Sequence, residues 1–164
     1  MKAFRYFKSF AFVLFVASVS LGINAQEQAS TNIQQQTKPL TEKQIAAIEK
    51  KMIGLHKLSL QWVSWEKFGT AEMYVGPAGL MIEGEQYVND NYVILKGLVD
   101  VIDERAFKFT GTIITRVDHI NNGNDCERAG EFEFRATGNR KYWRLQQMSN
   151  PCDHATDYVD VFFN

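Results

Sequence analysis

Residues 108–117 read KFTGTIITRV, a run of β-branched and aromatic residues interrupted at its centre by Gly111. Glycine weakens a strand interior and marks a bend, a bulge or a close backbone approach. The same interruption recurs in LMIEGEQYV at Gly84, VILKGLVDV at Gly97 and CERAGEFEF at Gly130. Four such strands in a row set the reading of the whole chain. From Leu55 to the end the apolar period is 2, and eight candidate strands lie near 56–65, 70–75, 79–88, 93–102, 106–117, 126–136, 140–149 and 156–163. The turns between them carry Phe68-Gly69, Gly76-Pro77, Asn89-Asp90-Asn91, Asn121-Asn122-Gly123-Asn124 and Gly138-Asn139, the residues that tight connections demand. No connection has room for a crossover helix, so the expected fold is all-β, an antiparallel meander.

Antiparallel pairing lets the register be tested. A turn at Gly138-Asn139 sets Phe134 opposite Trp143 and Phe132 opposite Leu145, with Glu133 opposite Arg144 on the other face. A loop at 103–105 sets Val101 against Phe107 and Val99 against Phe109. A turn at 89–92 sets Ile82 against Val99. In these registers all four glycines fall in one transverse row on the inner face. Such a row lets a coiled sheet bend into a barrel, or leaves space inside for a ligand or a large side chain such as Trp62 or Trp143. An even number of strands can close last on first and remove exposed edges.

The N-terminal part is of another kind. Lys2, Arg5 and Lys8 precede an apolar run, Phe10–Leu21, and Gly22-Ile23-Asn24-Ala25 offers a cleavage site, the pattern of a signal peptide over 1–25. Residues 26–40 are polar and low in complexity, and read as a disordered lead-in. In the domain at 41–164, Thr41-Glu42-Lys43-Gln44 forms a capping-box pattern. Ile45, Ile48 and Met52 then fall at helical spacing, giving one short helix over about 42–53 that ends at Gly54. Three of the 18 basic residues belong to the leader and none of the 19 acidic ones, so the mature chain is mildly acidic. It carries no basic stripe, and nucleic acid is not an expected partner. No membrane span is expected after removal of the leader, and the protein is expected to be exported, periplasmic or secreted.

A helix, an eight-stranded meander and Trp62 in the first strand together resemble the lipocalin-like, or calycin, class of small exported barrels. The family's Gly-x-Trp is replaced here by Leu60-Gln61-Trp62, and its C-terminal helix has no counterpart. The segments KYWRLQQM and TDYVDVFF are similar to small exported bacterial proteins. Following the chain direction puts the loops at 89–92, 118–125 and 150–155 at one end and the tight turns at 103–105 and 138–139, with the helix, at the other, so the barrel is expected to be closed below by the helix and open above.

At that open end the inward parity points to Gln86, Arg128, Gln147 and Asp157. With Trp62 and Trp143 they form the candidate ligand-binding set. An inward arginine and aspartate are costly unless paired or wetted; they could grip a small polar or anionic ligand, or Arg128 could straighten into solvent while Asp157 caps a loop. Glu133, Arg144 and Asp160 read as a solvated ladder on the outer face. Cys126 and Cys152, the two cysteines, lie opposite within one residue at the far end of the Gly138-Asn139 hairpin. Export makes a structural disulfide the expected outcome. His119 and His154 sit beside Asp118 and Asp153 in the upper loops without ligand spacing. Neither a Gly-x-Ser-x-Gly, a phosphate loop nor a His-Glu-x-x-His is present, so no enzyme, metal or cofactor is expected. Two functions stay open: a barrel holding a small ligand at its mouth, and a packed barrel serving as a structural or protein-interaction domain of the envelope.

Overall fold

In a computed structural model of the chain, the described residues are 38–164. The expected signal peptide and most of the polar lead-in lie outside them. Thr41 caps helix α1, Glu42–Met52: its side chain accepts from Gln44 N, and the Gln44 side chain returns to the cap. Both halves of the box close the first turn. The helix stops at Ile53, whose backbone is extended, and Gly54 opens the first strand.

Eight strands follow: β1 Gly54–Leu60, β2 Gly69–Gly76, β3 Gly79–Val88, β4 Asn91–Asp103, β5 Ala106–Arg116, β6 Cys126–Arg135, β7 Tyr142–Leu145 and β8 Val159–Phe162. Each pairs antiparallel with the next, and β8 pairs with β1 to close the barrel. The meander and its closure are therefore as the periodicity requires. Two ends are shorter than expected. The first strand stops at Leu60, because Gln61–Phe68 folds into turns, so Trp62 lies beyond the strand. The last two strands are cut to four residues each because 146–158 leaves the wall as a separate arm, held together by the Ser149–Thr156 bridge, by Asp157 N to Met148 O (2.7 Å) and by Asn150 N to Ala155 O (2.8 Å).

Registers β4–β5 and β5–β6 match the expectation: Val101 faces Phe107, Val99 faces Phe109, and Gly97, Gly111 and Gly130 stand side by side. Two hairpins are displaced by two residues. Between β3 and β4 the turn is only Asn89-Asp90, Asn89 taking φ 55°, so Asn91 and Tyr92 join the ladder and Ile82 faces Gly97. Gly84 consequently leaves the row and faces Leu95. Between β6 and β7 the turn is wider than Gly138-Asn139. Arg105 pins it, donating to the carbonyls of Ala136 and Gly138, and Phe134 faces Leu145 while Trp143 faces Val161. A shift of two keeps every side chain of the paired strands on its face, so the inside stays as read up to Leu145, where β7 ends.

The glycine row serves close approach. A Cβ on Gly111 would stand 2.6 Å from the Gly97 Cα and 2.7 Å from the Phe109 ring. Phe109 thus lies in the hollow left by two missing side chains. Its ring meets Phe134 edge-on at 5.9 Å, and Phe134 stacks on Phe107 at 5.1 Å. These rings, with Leu58, Met73 and Ile82, fill the barrel with fully buried carbon. At the tight-turn end, Ile48 and Met52 of α1 cover the opening beside Trp143 and Phe163, leaving a cavity of about 180 Å³. His56 fastens this plug, with Nε2 2.6 Å from Met52 O and Nδ1 2.8 Å from Phe162 O.

Candidate functional site

The upper end of the barrel gathers four of the six candidate side chains, and each is already engaged by the protein. Gln86, 1% exposed, ends the inner face of β3. Its carbonyl accepts from Leu60 N at 2.7 Å, and its amide donates to Ser64 O at 3.0 Å and Lys67 O at 2.8 Å. One side chain thus holds the 61–68 turns down across the mouth.

Arg128, on the inner face of β6, is 8% exposed and Asp157, in the returning leg of the arm, is 1% exposed. Arg128 Nη2 donates to Asp157 Oδ2 at 2.9 Å and Nη1 to Gln147 O at 3.1 Å. Asn150 Nδ2 donates to the same carboxylate oxygen at 3.1 Å and to Thr115 Oγ1 at 3.4 Å. Burial pushes the Asp157 carboxyl above the usual range, against the opposing pull of Arg128 and Asn150. Burial likewise pulls the Arg128 guanidinium down, with Asp157 opposing. The pair holds its charges against desolvation, the situation in which loss of either partner is costly. Arg128 therefore does not extend into solvent, and Asp157 is paired.

Trp62 is 37% exposed and roofs this network, its Nε1 donating to Thr156 O at 3.1 Å and its ring meeting His119 edge-on at 5.9 Å. Two candidates lie elsewhere. Gln147 is exposed, and its side chain accepts from Glu133 N at 2.9 Å; it is its backbone carbonyl that reaches Arg128. Strand parity fails there because β7 ends at Leu145. Trp143 points inward at the opposite end, against Phe163 (4.4 Å between ring centroids) and His56 (5.8 Å), and its buried Nε1 has no partner among the described residues. Thr115 and Asn150 were not singled out in the sequence. Thr115 shares the inward parity of Phe109 and Ile113, which could have marked it; Asn150 sits in an arm that periodicity does not reveal.

Cys126 and Cys152 are joined, with their Cα atoms 6.0 Å apart. The bond ties the first residue of β6 to the tip of the arm. His154 takes φ 64° in that tip and His119 packs on Trp62. Among the described residues no group of three or more histidine, cysteine or acidic side chains is placed to hold a metal ion.

The outer charged set is not a solvated ladder. Arg144 binds Asp160 through two bonds of 2.7 Å, and Asp160 is 0% exposed. The Tyr158 ring lies 4.1 Å from the guanidinium carbon and Tyr142 5.2 Å from it, which shields the pair. The displaced register separates Glu133 from Arg144, and Glu133 pairs with Arg135 instead. Burial raises the Asp160 carboxyl despite Arg144, while donating its hydrogen bonds to Asp160 raises Arg144.

No solved structure matches the chain. A protein of Pasteurella multocida (strain Pm70), "Uncharacterized protein PM1083", is 50% identical over 163 residues, covering 99% of this chain and 100% of its own length. The PM1083 family matches residues 30–163, which include the helix and all eight strands of the barrel, and the chain belongs to that family.

Proposed function

We propose that this chain is an exported, non-enzymatic barrel domain that works through its outer wall, as an interaction protein of the cell envelope or its surroundings. The observation that carries this reading is the occupation of the interior: aromatic and aliphatic side chains fill the centre, Gln86 and the Arg128–Asp157–Asn150 network fill the mouth, and α1 covers the other end. The disulfide fits an oxidising compartment. The wall carries Glu72, Glu83, Lys96, Asp100 and Lys108 outward while the centre of the interior is apolar, which is the reverse of a membrane-spanning barrel. Among the described residues no helix is long and apolar enough to cross a membrane.

The lipocalin-like alternative is a small ligand at the mouth. It is supported by the half-exposed Trp62 above a charge pair that burial disfavours. It requires the 61–68 turns to lift and Arg128 to exchange Asp157 for the ligand, with Gln86 beside it; Gln147 and Trp143 would contribute little. Native mass spectrometry of the protein isolated from its own source separates the readings. The expected result is the mature chain with one disulfide and no small-molecule adduct. A stoichiometric adduct that disappears in Arg128→Met and quenches Trp62 would establish the ligand reading instead.

A further inference from the structure

The barrel closes, but its wall is split along half of one strand. β6 has ten residues and pairs with β5 over all of them, whereas it meets β7 only at Phe134–Leu145 and Arg135–Arg144. Glu133 directs its backbone to the β7 side, its O accepting from Gln146 N at 2.8 Å and its N–H donating to the Gln147 side chain. The β5–β6 register is unbroken, so Glu131, Ala129 and Glu127 direct their N–H and C=O groups the same way. Among the described residues these backbone groups have no hydrogen-bond partner, and Glu127, Ala129, Gly130 and Glu131 are all exposed. The arm passes them without a backbone hydrogen bond to residues 127–131, connected to β6 by Arg128 through the Gln147 carbonyl and by the disulfide at Cys126. Among the described residues, a Cβ placed on Gly130 would meet nothing within 4 Å. A groove of about 460 Å³ lined by Asp100, Lys108, Glu131, Glu133 and Gln147 opens beside the lower end of this edge.

From this geometry we propose that residues 127–131 of β6 form a docking edge for an extended segment of a partner protein carrying lysine or arginine at alternate positions. The proposal rests on the outer-wall reading above. An exposed strand edge is a template for strand addition. Charge selects the occupant. The outward side chains along the edge are Glu127, Ala129, Glu131 and Glu133. Arg135 pairs with Glu133 and Lys108 meets Glu131 at 3.3 Å, so a basic residue is favoured chiefly beside Glu127, with Glu131 shared with Lys108, and the alternate residues of the added strand fall toward the open space at Gly130. A second copy of this chain is the obvious competitor. Symmetric antiparallel pairing about Ala129 would set Glu127 against Glu131 twice, and like charges directly opposite are destabilising.

The probe is an end-capped octapeptide of alternating lysine and valine, with alternating glutamate and valine as control, added to the disulfide-bonded barrel and followed by amide hydrogen exchange and two-dimensional NMR. Glu127, Ala129 and Glu131 amides are expected to exchange fast in the free protein and to be protected by the lysine peptide. The double substitution Glu127→Lys/Glu131→Lys should weaken that peptide about tenfold or more and favour the glutamate one. Ala129→Pro removes a donor on the free side only and should lessen binding with the barrel still folded. No protection in a folded sample, or equal binding of both peptides, would overturn the edge and leave the outer-wall reading standing. Shifts centred on Trp62, Gln86 and Arg128 instead would overturn both. Protection growing with protein concentration alone would overturn the basic partner in favour of a second copy.

Discussion

Arg128 shows how little a side chain's parity says about its work. Alternation along CERAGEFEF places it inside, correctly, but a charge inside a barrel can be a ligand contact or a closed pair. The outcome is set by Asp157 and Asn150, which reach it from the arm. Replacing Arg128 by methionine leaves Asp157 buried and uncompensated, and should cost about 3–5 kcal/mol at neutral pH, read by urea denaturation. Adding Asp157→Asn removes the stranded charge and should return part of that loss; a double variant as unstable as the single would refute the pairing. Gly111 was legible as a special position, though not which of its two uses applied. The Phe109 ring and the Gly97 backbone occupy the place a Cβ would take. Gly111→Ala should therefore destabilise by about 1–3 kcal/mol as an overpacked site, and thermal unfolding checks it.

At the scale of elements, strands longer than about eight residues were legible almost to their ends, because period 2 persists over them. The short ones were not. β7 and β8 keep four residues each, and the alternating run that suggested ten belongs partly to the arm at 146–158. Turn length was the other weak point: Asn89-Asp90 makes a tighter hairpin, and Arg105 braces a wider one, than the sequence shows. Since each register error was two residues, the faces of the paired strands survived, whereas the cysteines meet because the arm at 146–158 brings Cys152 to Cys126 rather than through the hairpin register. Cys152→Ser should lower stability by about 3 kcal/mol in the oxidised protein and change a reduced sample little, and two free thiols titrated in the unfolded, unreduced protein would count against the bond. The plug depends on α1 in a similar local way. Met52 is 3% exposed under the helix and over the core, so Met52→Ala should cost about 2–5 kcal/mol, whereas the surface pair Lys51–Glu104 should contribute below about 1 kcal/mol.

For the whole molecule, closure comes at the cost of two ion pairs placed under cover where β8 and the arm complete the wall, Arg128–Asp157 inside and Arg144–Asp160 outside. The barrel class was readable from spacing alone, while these pairs were not, because both depend on segments folded back across the wall rather than on strand alternation. They give the protein a common pH response. Desolvation raises both aspartates above their ordinary value, so between that value and the raised one the folded chain binds more protons than the unfolded chain. Stability from these groups is then greatest in acid and falls as pH rises through that window. Glu83 is shifted the other way by Tyr74 and Lys96, but it lies at the solvent surface and its effect is screened. The test is Asp160→Asn, followed by denaturation midpoints from about pH 4 to 7. The stability difference between the parent and Asp160→Asn should shift toward the variant as pH rises, because only the parent must carry the buried charge. If the parent gains on the variant instead, the hydrogen bonds from Arg144 outweigh burial and the sign assigned to Asp160 is reversed.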